Sequence, residues 1–87
     1  MNYHELEDKY NQEVVKWLVS NGKTNVSEHI IDIITSVLMT RTKVKIGGDF
    51  AQAVVNNDLN GAVGKADSEV LNNQALIVKA NHNIDIF

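Results

Sequence analysis

The sequence predicts a mainly α-helical chain, a compact bundle of three to four helices. Three observations carry this: two long stretches with 3.6-residue apolar periodicity, a glycine placed to stop the first of them, and no Pro anywhere in the 87 residues. The bundle has room for a short extended segment near 42–46 and at the C-terminus; an α+β arrangement, from a hairpin at Asn60-Gly61 and a strand in "ALIVK", is the alternative.

The first helix is expected over about residues 3 to 20. Wound at about 100° per residue, Tyr3, Leu6, Tyr10, Val14, Trp17 and Leu18 fall within an arc of about 120°, with Glu7, Lys9, Gln12 and Lys16 largely elsewhere. Asn21-Gly22 follows, and glycine just past the last periodic residue suits a left-handed C-cap. Asn25 offers a side-chain oxygen to cap the second helix, with Glu28 three residues on as its capping-box partner.

The second helix, "EHIIDIITSVLMT", is rich in β-branched residues that mildly disfavour helix. Even so, Val26, Ile30, Ile31, Ile33, Ile34, Val37 and Leu38 share a face about 160° wide. A face that broad needs more than one neighbour, which makes this the central helix. "RTKVKI" then alternates polar and apolar, as an edge strand or as the frayed end of the same helix.

Gly47-Gly48 ends that run, and Asp49 is placed to N-cap "FAQAVV". Beyond Leu59 a hairpin at Asn60-Gly61 with an "ALIVK" strand competes with one long, broken helix over about 58 to 81. The helix is preferred, because Leu59, Ala62, Val63, Ala66, Val70, Ile77 and Ala80 lie on one arc of about 100°, with Gly61 and Gly64 opposite. The tail "NHNIDIF" adds an extended segment or pairs with another chain. No repeat or linker divides the chain, so residues 1–87 are expected to form a single small helical domain.

Composition narrows function. Hydrophobic residues at 44% and charged residues at 22% are the balance of a chain that folds. No Cys means neither disulfides nor thiolate metal sites; with no signal-like or membrane-length apolar run, a cytoplasmic location and no membrane association are expected. Net charge is −3, so there is no global attraction to nucleic acid, although Arg41 to Ile46 holds three cations and no acid. Eleven Asn are spread through the chain as caps and turns. Small size, abundant Asn and the absence of Cys and Pro are compositional traits of the kind met in phage or mobile-element accessory proteins.

Three chemistries are weighed. "KIGGDF" lacks the spacing of a phosphate loop, and Asp49 sets a carboxylate where an anion would sit, so the glycines read as a turn. Arg41, Lys43 and Lys45, if extended, project from one edge and fit phosphate or nucleic-acid contact, or simply protect an edge strand. His4, His29 and His82 are scattered; the pairs His4 with Asp8 and His29 with Glu28 or Asp32 do not by themselves predict a metal site or a catalytic centre.

Asn73 lies inside the apolar arc between Val70 and Ile77, where an unpaired amide would cost about 1–3 kcal/mol unless an interface pairs it. Tyr10 and Trp17 suit core anchors or interface hot spots. The function expected is therefore a non-enzymatic protein-interaction module without cofactor. It is expected to form a homo-oligomer through Tyr10, Trp17, Asn73 and Ile77, and to bind and inhibit another macromolecule. The alternative is nucleic-acid or nucleotide-phosphate binding through segment 41–46.

Overall fold

The computed structural model describes residues 3–44, 49–56 and 68–85, which hold five helices and no strand. These are α1 (Tyr3–Ser20), α2 (Glu28–Arg41), α3 (Asp49–Val55), α4 (Ser68–Asn72) and α5 (Gln74–Asn83). The fold is mainly α, with α2 at its centre and α1, α3 and α5 packed around it. A radius of gyration of 12.0 Å is that of a tightly packed chain of this length.

The broad face of α2 is the reason. Ile30, Ile34, Val37, Leu38 and Met39 are all at most 1% exposed, while Ile31 and Ile33 flank them half-buried. Burying each such side chain contributes about 1.5–3 kcal/mol, which outweighs the few tenths lost by placing β-branched residues in a helix. Thr35, also buried, meets its hydrogen-bond need within the helix, its hydroxyl donating to the Ile31 carbonyl at 2.9 Å. From α1 come Tyr10, Val14 and Leu18, with Leu6 and Trp17 packed at the margin. At seven residues α3 is too short to persist alone; Ala51 and Val54, three residues apart, bury its inner side. Val70 of α4, Ile77 and Ala80 of α5, and Ile84 complete the cluster.

The second helix begins two residues later than its capping pattern predicts. Ser27, not Asn25, is the N-cap: its Oγ accepts from the Ile30 amide at 3.3 Å, and the same hydroxyl donates to Glu69 Oε2 at 3.1 Å. Thus α4 lies against the start of α2, whereas the end of α5 meets the end of α2, so α4 and α5 follow α2 in the same direction.

Two helices end in the same hydrogen-bond pattern. After α1, Gly22 donates to Val19 O and Lys23 to Leu18 O, with Gly22 at φ 73°. After α2, Lys43 donates to Thr40 O and Val44 to Met39 O, with Lys43 at φ 63°. Both are Schellman motifs, whose left-handed residue is usually glycine. Residues 42–44 therefore cap a helix rather than extend as a strand, and the alternation in "RTKVKI" records a side chain turned inward at Val44, which packs on the core. A lysine in left-handed backbone carries strain of about 1–2 kcal/mol, partly offset by the extra chain entropy of glycine when unfolded. Lys43→Gly is expected to stabilise the fold by about 0.5–1 kcal/mol, read as a rise of several degrees in thermal midpoint. An unchanged or lower midpoint would show that the lysine is not strained.

The long helix expected over 58–81 is interrupted where described. Asn73 sits at a break between α4 and α5: its amide N–H bonds Val70 O, and its side-chain Nδ2 donates to Glu69 O at 2.8 Å. An amide side chain competing for helix carbonyls opens the ladder that an apolar residue would leave intact. At the far end, helix persists through Asn83, and Asn81 and Ile84 are buried while His82, Asn83 and Asp85 are exposed, so the described part of the tail joins the core through Ile84. Because α3 already includes Asp49, its cap position falls outside the described residues, as do Lys45, Gly47-Gly48 and the segment 57–67.

Candidate functional site

Of the three expected cations, Lys45 lies outside the described residues, and the other two do not form an extended edge. Arg41 occupies the last turn of α2 and turns its guanidinium to the end of α5. Nη1 donates to the Asn81 carbonyl and Nη2 to the Ile84 carbonyl, the latter at 2.8 Å. Those carbonyls belong to the terminal turn of a helix, which lacks internal donors and carries partial negative charge. Arg41 thus caps a neighbouring helix. Lys43 follows on the left-handed turn, exposed.

The expected interface residues separate. Tyr10 and Ile77 are 3% and 0% exposed, both core residues of this chain, because the arcs they share with Val14 and Leu18 and with Ala80 turn wholly onto α2. The Tyr10 hydroxyl lies 2.9 Å from Thr42 Oγ1. Thr42 Oγ1 also lies 3.0 Å from Leu38 O and 3.3 Å from Met39 O, so the Tyr10 hydroxyl is tied through Thr42 to the end of α2. Trp17 is half-buried against the core, and Asn73 is half-buried with its side-chain Nδ2 donating to Glu69 O at 2.8 Å.

Exposed apolar side chains lie elsewhere. Val15 and Val19, one turn apart on α1, are 41% and 58% exposed, outside the buried stripe of Tyr10, Val14 and Leu18. A shallow depression of about 470 Å³ at Val15 is lined by that residue with Asp8, Asn11, Gln12 and Lys16. Neither valine stood out in the sequence, since both fall outside the helical stripe that marks a core.

Two clefts carry cations. One, of about 540 Å³, runs between the α1–α2 connection and α5, with Lys23 and Lys79 at its rim and Asn25, Asn72 and Asn73 along it. The other, of about 650 Å³, lies between the end of α2 and α3 and is lined by Thr40, Arg41, Lys43, Val44, Gln52, Val55 and Asn56. They differ in how the charge is held: both lysines of the first are on exposed, flexible stems, whereas Arg41 in the second is anchored by two carbonyls. The sequence singled out Arg41 and Lys43, but not Gln52 and Asn56, which α3 brings across from the other wall.

Among the described residues no three or more His, Asp or Glu gather where a metal ion could be held, and no helix is long and apolar enough to cross a membrane. Compared with protein-family models, with curated proteins and with solved structures, the chain finds no match.

Proposed function

We propose that the chain is a non-enzymatic interaction protein that associates with a second copy of itself through the outer side of α1. The observation that carries this is the exposure of Val15 and Val19 together. At a solvated helix position valine is several tenths of a kcal/mol worse than alanine, so two in one patch cost stability unless something covers them. The surrounding side chains favour a like partner: Asp8 and Lys16 balance, and Asn11 and Gln12 are neutral, so two such faces meet without an excess of like charge. Lys16 makes an exposed pair with Glu13 at 3.4 Å, which is worth little and exchanges readily. A face about 27 Å long gives a small interface, hence a concentration-dependent dimer rather than a permanent one.

Sedimentation equilibrium over a wide concentration range tests this. The mass should rise from monomer toward dimer, and Val15→Lys with Val19→Lys should weaken association by about a hundredfold while the thermal melt at low concentration is not lowered. A wild-type chain that remains monomeric to its solubility limit overturns the reading. Once self-association is measured, binding and inhibition of a different macromolecule becomes a question for the same face.

A further inference from the structure

We propose that the cleft between the end of α2 and α3 binds a phosphomonoester, with Arg41 and Lys43 holding the phosphate. This stands apart from self-association through α1. The cleft is lined by two cations and by no described carboxylate, in a chain whose net charge is −3. Its volume, about 650 Å³, is that of a small-molecule site.

The two cations are differently equipped. Arg41 has five N–H donors, of which the carbonyls of Asn81 and Ile84 take two, one on each terminal nitrogen. The guanidinium is thereby fixed in place with donors left over, so an anion meets it without the loss of side-chain freedom that a mobile arginine would bring. Lys43 stands two residues on, where the helix has already turned off through the left-handed backbone, and it lines the same cleft. A lysine at a position that glycine would occupy more comfortably keeps charge there at the expense of stability, a pattern that strained residues show at binding sites.

The opposite wall determines the rest of the ligand. Gln52 and Asn56, one turn apart on and just after α3, present amides, and Thr40 a hydroxyl, while Val44 and Val55 supply apolar surface. Phosphate alone would leave those valines uncovered. An organic group on the phosphate, with hydrogen-bonding edges and an apolar face, matches this lining, and nucleoside monophosphates have that chemistry.

The test is a chemical-shift titration of the full chain at low salt with AMP, inorganic phosphate and adenosine. AMP should shift amides of residues 40–44 and 52–56, and its affinity should fall as salt is raised. Inorganic phosphate should bind at the same place. AMP binding more tightly than phosphate supports the monoester site, and equal binding would overturn the monoester assignment, leaving a site for free phosphate. Adenosine binding as well as AMP, shifts confined to other residues, or no shifts with either phosphate ligand would overturn it. Lys43→Gly, which is expected to fold at least as well as the parent, should weaken AMP about tenfold. Gln52→Glu, which introduces a carboxylate at an exposed position of α3, should weaken it by at least as much. Unchanged affinity in both variants would also overturn the assignment.

Discussion

Arg41→Ala is expected to destabilise the fold by about 2–3 kcal/mol, lowering the thermal midpoint by roughly 10 °C or more. Both hydrogen bonds lost are charge-assisted, and they serve the Asn81 and Ile84 carbonyls at the end of α5, where a helix has no donors of its own. The cation also sits at the negative end of the α5 dipole. Arg41→Lys should recover less than half of the loss, because one ammonium on a flexible stem cannot hold two carbonyls in the planar fork that a guanidinium provides. Hydrogen exchange localises the effect: amides near the end of α5 should lose protection first. A midpoint within a degree of wild type would show that solvent serves those carbonyls equally well.

Ile77→Ala should cost more, about 2–5 kcal/mol, a large share of the 5–15 kcal/mol that a domain of this kind has in total. Ile77 is fully buried beside Ala80 and the α2 core, so the truncation leaves a cavity that neighbouring α-helices fill only partly. The position also separates two roles. As a core residue, Ile77 should lower the denaturant midpoint at every protein concentration alike. If it anchored an oligomer, its effect would vanish at high dilution. Replacing the pair Val15 and Val19 should behave in the opposite way, altering association without lowering the dilute melt.

Much of this was legible in the pattern of apolar residues. The arc from Leu6 to Leu18 locates α1 and its buried side, Gly22 its end, and the breadth of the Ile-rich face the central place of α2. What could not be read depends on distant partners. Asn25 and Ser27 are both good caps, and a contact from Ser27 to Glu69, 42 residues away, favours the second. Asn73 sits in an unbroken apolar stripe, but its amide takes a backbone carbonyl and divides the helix. Arg41 looked like one of three solvated cations, whereas its partners lie 40 and 43 residues on. The cleft needed α3 to bring Gln52 and Asn56 beside Lys43, and no local pattern announces that meeting.

Residues 41 to 43, at and just past the end of α2, connect to three other parts of the chain. Arg41 reaches the last helix, Thr42 the first through the Tyr10 hydroxyl, and Lys43 turns the chain toward α3. The first two ties span 32 and 43 residues, so each closes a long loop whose entropy must be spent before the contact gives anything back. Such a clasp belongs late in folding, after α1 and α2 have paired. Loosening it should therefore leave the folding rate nearly unchanged and speed unfolding, so that the lifetime of the folded chain rests on a joint of three residues at one helix end.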